Sequence, residues 1–80
     1  MYVVYVLRDE NGKLYKGLTN DLKRRTGEHF SGHTQTTRRM KNSRVVYKEE
    51  YDTFLEARKR ELYLKSAAGR RFLKKKLSPP

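Results

Sequence analysis

The sequence predicts a small α+β domain, a three-stranded and largely antiparallel sheet flanked by helices in the order β-β-α-β-α-α. Three observations carry this. Residues 2–8 mix β-branched and aromatic side chains, as strands do. An Asn11-Gly12 turn separates them from a second strand-like segment. Thr53 and Glu56 form a capping box ahead of a helical stretch. At 80 residues there is room for one domain with one small core, burying only about 60% of the unfolded surface.

The elements follow in order. Residues 2–8 form the first strand, 9–13 the turn and 14–19 the second strand of a hairpin. Thr19, Asn20 and Asp21 are N-cap candidates for a helix running to about Phe30, with Gly32 where a glycine often ends a helix. Residues 31–43 are polar, basic and aperiodic, and read as a loop. Arg44 to Tyr51 form the third strand. A second helix starts at Phe54 and runs to about Ala67, Ala68-Gly69 break it, and Arg70 to Leu77 make a short final helix. The expected domain is 1–77, with 78–80 as a frayed tail.

Charge restricts the function classes. Twenty Lys and Arg against nine Asp and Glu give a net charge of +11. No acid lies between His29 and Lys48, where Arg38, Arg39, Lys41 and Arg44 fall. None follows Glu61, where Lys65, Arg70, Arg71, Lys74, Lys75 and Lys76 fall. Such a field draws polyanions, and nucleic acid is the expected partner. A membrane is not expected, because the longest apolar run is Val3 to Leu7 and the basic stretches lack a wide apolar face. The chain has no cysteine and enters a strand pattern at once, with no signal-peptide pattern, so a cytoplasmic location is expected.

Polar residues interrupt the apolar patterns at a few positions. Phe54, Ala57, Leu64 and Ala68 share a helical stripe whose missing member is Glu61. A carboxylate there needs a partner, either an ion pair with Arg58 or Lys65 or a bound metal. Leu22, Arg25 and His29 share a face of the first helix, either as a solvated surface or as a phosphate clamp. Tyr5 and Tyr15 stand in the hairpin, and Gly17 interrupts its second strand, where glycine often marks a bulge or a close approach. Walker and dinucleotide-binding glycine patterns are missing. Zinc is a poor fit, since Gly32 falls between His29 and His33 and no third ligand is evident.

These positions coincide with one pattern. Val3-Val4-Tyr5, Leu14-Tyr15-Lys16-Gly17 and Thr19 to Arg25 with Glu28-His29 resemble the GIY-YIG nuclease domain. Glu56 to Glu61 is similar to that family's second helix with its metal-binding glutamate, and Leu64 to Leu73 to the ends of short bacterial stand-alone members. Val3, Val4 and Lys16 depart from the motifs, where the family has Gly, Ile and Ile. The resemblance implies a metal-dependent endonuclease acting on phosphodiester bonds in DNA, with structure dependence and a link to repair as its finer expectations. The alternative is a nucleic-acid-binding module with a weak or inactive site. It implies that Glu61 holds Mg²⁺ or Mn²⁺, that Arg25 steadies charge on the phosphoryl group, and that Tyr5 is base or positioner for the attacking water. Tyr15 and His29 would orient the site, with His29 able to relay a proton. Lys16, Arg38, Arg39, Lys41, Arg70, Arg71 and Lys74 are the expected nucleic-acid contacts. So small a domain has little room for specificity of its own, so substrate shape or a protein partner is expected to supply it.

Overall fold

The computed structural model describes residues 1–30 and 42–78, with only the backbone described for Thr26, Glu28, His29 and Phe30. The order of elements is the expected one: β1 (Tyr2–Arg8), β2 (Leu14–Thr19), α1 (Leu22–Phe30), β3 (Arg44–Tyr51), α2 (Phe54–Lys65) and α3 (Ala67–Leu77). Most of the expected basic loop, including Arg38, Arg39 and Lys41, lies outside the described residues, as do Pro79 and Pro80.

The sheet has the order β2-β1-β3, with both pairings antiparallel. β1 is therefore the centre, and Val4, Tyr5, Val6 and Leu7 are all fully buried. A strand covered on both faces has no solvent side, which is why its apolar residues run on without polar alternation. Val4 and Val6 pack with Ala57 and Leu64 of α2 and Leu73 of α3. Tyr5 and Leu7 belong to a second cluster, with Tyr15 of β2 and Leu22 of α1. The pairing of β1 with β3 shifts between Val6 and Leu7, where Val46 is the extra residue of a bulge.

Short-range polar groups set the ends of these elements. In the hairpin the buried Asp9 accepts hydrogen bonds at Oδ1 from the N–H groups of Asn11 (2.9 Å) and Lys13 (2.7 Å). Gly12, at φ +83°, takes the left-handed conformation that the turn requires and donates its N–H to the Asp9 carbonyl. Asp21 is the residue that caps α1, its Oδ1 accepting from the Arg24 N–H at 3.1 Å. Thr53 caps α2 as expected, accepting from the Glu56 N–H at 3.2 Å and donating its hydroxyl to the Glu56 carboxylate at 2.8 Å.

Two expectations about the last helices change. The break falls at Ser66, not at Ala68-Gly69, and α3 already starts at Ala67. Ser66 is extended (φ −78°, ψ 168°), its N–H bonds to the Tyr63 carbonyl, and its hydroxyl oxygen accepts from the Gly69 N–H at 3.2 Å. It thus ends one helix and caps the next, a role that serine's short hydroxyl allows. Gly69 does not break the helix but is buried inside α3, where it lets the two helices approach. A Cβ there would lie 1.9 Å from the Tyr63 carbonyl oxygen and 2.5 Å from Leu64 Cα. Phe54, placed by the sequence on the core stripe, is 54% exposed and packs edge-on against Tyr2 with ring centroids 5.7 Å apart. It stands in the first turn of α2, at the margin of the core.

Gly69→Ala is expected to destabilise the fold by about 2–3 kcal/mol, since backbone atoms and not a flexible side chain must yield. Urea unfolding of wild type and variant measures this, and an unchanged midpoint would show that the helices do not mesh at this glycine.

Candidate active site

A cleft of about 470 Å³ opens where α1 and α2 meet beyond the end of β2. Thr19 and Asn20 form its floor, Arg24 and Arg25 come from α1, and Phe54, Arg58 and Glu61 come from α2. Arg25 is placed by the Asp21 cap, which starts α1 so that this side chain turns back toward the sheet. Glu61 sits on the buried stripe of α2 between Ala57 and Leu64 and is only 7% exposed.

Tyr5 of β1 is fully buried and stands behind the cleft lining, against Arg25. Its hydroxyl takes a hydrogen bond from Arg25, and the charges of Arg25, Tyr15 and Glu61 all act on it. Tyr15 lies alongside, with ring centroids 6.4 Å apart. Burial pushes the Tyr5 phenol up to about 12, and the neighbouring Arg25 offsets only part of that. The phenol is therefore protonated at neutral pH. Gly17 is the cross-strand partner of Tyr5, and a Cβ on it would lie 2.5 Å from the Tyr5 ring carbon Cζ and from its hydroxyl. Of the bulge or close approach expected at Gly17, the structure has the close approach. What approaches is the Tyr5 ring, which lies across β2 because Gly17 has no side chain.

Both expected ion pairs of Glu61 are present. Arg58 Nη1 lies 2.6 Å from Oε1, and Lys65 Nζ lies 3.3 Å from Oε2. Among the described residues Glu61 is also the one carboxylate lining the cleft. Among the described residues no three His, Cys, Asp or Glu side chains group together as a metal cage. A single carboxylate with open space beside it suits a hard cation that keeps waters and phosphate oxygens as its other ligands. Such a cation would compete with Arg58 and Lys65 for the two oxygens.

The remaining sequence-derived residues separate. The side chain of His29 lies outside the described residues, as do Arg38, Arg39 and Lys41. Lys16, Arg70 and Lys74 line a second groove, and Arg71 is exposed on α3 but lines neither cavity.

One cluster escaped the sequence reading. Glu49 of β3 accepts two bonds from Arg60 of α2, at 2.9 Å from Nε and 3.1 Å from Nη2. The hydroxyls of Tyr47 and Tyr51 also donate to Glu49. The Arg60 guanidinium stacks on Tyr63 at 4.8 Å and on Phe72 at 4.9 Å. This network ties α2 to β3 and α3 one residue before Glu61. Burial pushes the Glu49 carboxyl up, but the hydrogen bonds from Tyr47, Tyr51 and Arg60 outweigh it and leave it below the usual range. The only available signal was alternation along β3, Tyr47-x-Glu49-x-Tyr51, which puts all three on one face.

With this geometry the sequence comparisons agree. The chain matches the GIY-YIG catalytic domain family over residues 1–76, and it belongs to that family. Its relatives include UPF0213 proteins of similar length. One from Staphylococcus saprophyticus is 31% identical over 74 residues, covering 91% of this chain and 90% of the relative. One from Cupriavidus necator is 37% identical over 65 residues, covering 80% of this chain and 71% of the relative. The solution NMR structure of the UPF0213 protein from Bacillus halodurans superposes with a TM-score of 0.60 at 30% identity, covering 99% of this chain and 89% of that one. Among the described residues no helix is long and apolar enough to cross a membrane.

Glu49→Gln is expected to lower stability at neutral pH by about 1.5–3 kcal/mol, as a charged acceptor of four hydrogen bonds is lost. Because the folded-state pKa is depressed from the ordinary 4.5, the wild-type advantage is complete above about that pH and disappears as pH falls through the lower folded value. Urea unfolding across that range should show the two proteins converging in acid. A constant gap would remove the Glu49 charge as its cause.

Proposed function

We propose that the chain is a divalent-metal-dependent endonuclease that hydrolyses phosphodiester bonds in DNA, choosing its target by nucleic-acid structure. The observation that carries this is the meeting of Arg25 and Glu61, from α1 and α2, in one cleft of a strongly basic protein, with the buried Tyr5 hydroxyl bonded to Arg25 behind them. A role in repair, a cytoplasmic location and a protein partner that supplies specificity belong to the same reading.

Glu61 is the residue proposed to hold Mg²⁺ or Mn²⁺. When bound, the ion would supply Lewis-acid stabilisation of the charge on the phosphoryl and leaving oxygens. The other roles fall to the chain. Arg25 places its guanidinium where negative charge grows on the phosphoryl oxygens. Tyr5, buried and protonated at neutral pH, serves as positioner in place of base: its hydroxyl accepts from Arg25 and fixes the guanidinium beside the attacking water. The water oxygen bonds to phosphorus as the bond from phosphorus to the 3′-oxygen breaks, leaving a 5′-phosphate and a 3′-hydroxyl. The water's proton passes to solvent or to His29, whose place in α1, one turn beyond Arg25, suits that relay. Tyr15 packs beside Tyr5 and limits its ring.

A second reading has its own support. Arg58 and Lys65 together hold both oxygens of Glu61, as in a structural ion-pair cluster. On that reading the domain binds nucleic acid and cuts it weakly or not at all.

Cleavage and binding of nicked, branched and single-stranded DNA by wild type, Glu61→Gln and Arg25→Ala, in Mg²⁺, Mn²⁺ or chelator, separate the two. Glu61→Gln should abolish cleavage while DNA binding persists or tightens, because a negative charge facing the phosphates has gone. A Glu61→Gln variant that cuts at the wild-type rate would leave the binding reading in front. Arg25→Ala should slow cleavage on the order of 10²–10³-fold with little loss of affinity. Equal and small losses in both would make Arg25 one more cation of the basic field.

A further inference from the structure

A second cavity, of about 400 Å³, opens between β2 and α3. It is lined by Arg8, Lys16, Arg70 and Lys74 above Leu14, Leu73 and Leu77. No acid lines it. Lys16 stands on β2 and, by alternation, faces the α2 and α3 side with Leu14 and Leu18. Arg70 and Lys74 are one turn apart on α3. Among the described residues none of these four cations has an ion-pair partner, whereas Arg58, Arg60 and Lys65 nearby are paired. Burial holds the Lys16 ammonium below its ordinary pKa, and the charges of Arg70 and Lys65 depress it further. Like charges are therefore gathered at a concave place, which favours a bound anion.

The floor narrows the choice of anion. Three leucines under the cations would contribute nothing to a bare phosphate or sulfate. A molecule with one anionic end and one flat, weakly polar end uses both halves of the groove. The cavity is of small-molecule size, at the lower end of the range for ligand pockets. An extended acidic peptide would cross such a groove instead of filling it.

We propose that this groove is a nucleotide subsite: it holds one unpaired nucleotide, with its phosphate between Lys16, Arg70 and Lys74 and its sugar and base against Leu14, Leu73 and Leu77. Only the class of occupant rests on the proposed nucleic-acid substrate; cleavage is not needed for it. Lys65 pairs with Glu61 of the cleft at 3.3 Å, and its charge also acts on Lys16 of the groove. A strand held at both sites would carry an unpaired nucleotide in the groove. Such a contact would favour flaps, nicks and single strands over intact duplex.

The test is titration of the whole chain with deoxyadenosine 5′-monophosphate, followed by leucine methyl NMR, beside parallel titrations with deoxyadenosine and with inorganic phosphate. Saturable shifts at Leu14, Leu73 and Leu77 are expected, with the monophosphate at least about tenfold tighter than either fragment. Lys74→Glu, at an exposed position, should weaken monophosphate binding by about tenfold or more, while Glu61→Gln leaves it intact. Lys16→Ile should remove binding as well, and the Lys74 variant keeps the test sound if that one folds poorly. Inorganic phosphate binding as tightly as the monophosphate, shifts confined to the Glu61 cleft, or no saturation would each overturn the proposal. Monophosphate binding without any DNA cleavage would leave this subsite standing and remove the nuclease reading instead.

Discussion

Everything in this domain depends on β1 being buried on both faces. A three-stranded sheet offers one central strand, and here that strand holds four consecutive fully buried residues, Val4 to Leu7. Its two faces must be covered by different elements. α2 and α3 cover Val4 and Val6, and Leu22 of α1 joins the cluster of Tyr5 and Leu7. Helices on opposite faces cannot touch through the sheet. Their functional side chains meet only by reaching around the end of β2, where Thr19 and Asn20 leave the cleft open. The site's location follows from sheet coverage before any catalytic residue is considered.

Tyr5 stands where this constraint and the cleft meet. It is a core side chain by burial and a site side chain by its hydroxyl. Gly17 makes the two roles compatible, since any side chain there would occupy the space of the ring. The raised phenol pKa follows from the same burial, so the position that aims the hydroxyl also withholds its ionisation. Glu61 is under comparable tension. It is nearly buried, yet it keeps its charge company through Arg58 and Lys65, both of which remain about half exposed and able to swing away.

What the sequence revealed and what it hid divide by range. Features set within a few residues were legible: the hairpin turn at Asn11-Gly12, the Thr53-Glu56 cap, and both ion pairs of Glu61 at helical spacing. The Ser66 junction was misplaced because glycine is the usual signal of a helix end. Here Gly69 answers a steric demand from Tyr63 and Leu64 that only the folded chain imposes. The Glu49–Arg60 clamp was hidden for a similar reason. Its partners lie eleven residues apart on a strand and a helix, and no periodicity links them. The basic tail read as a single patch, but helical geometry sends Arg70 and Lys74 to one groove and Lys75 and Lys76 to the neighbourhood of Phe72.

The Ser66 junction also governs how the domain can move. One residue separates α2 from α3, and its hydroxyl and N–H are both engaged with the flanking helices. A connection that short has no slack. With the Tyr63 carbonyl seated against Gly69, the two helices are geared together, and a rotation of one must turn the other. The helix that carries Glu61 and the helix that carries Arg70 and Lys74 are thus held at one fixed angle to each other. Lengthening the chain at this point would unmesh the gear, so insertions are better tolerated at the Asp9–Lys13 turn, where the hydrogen bonds close a surface loop.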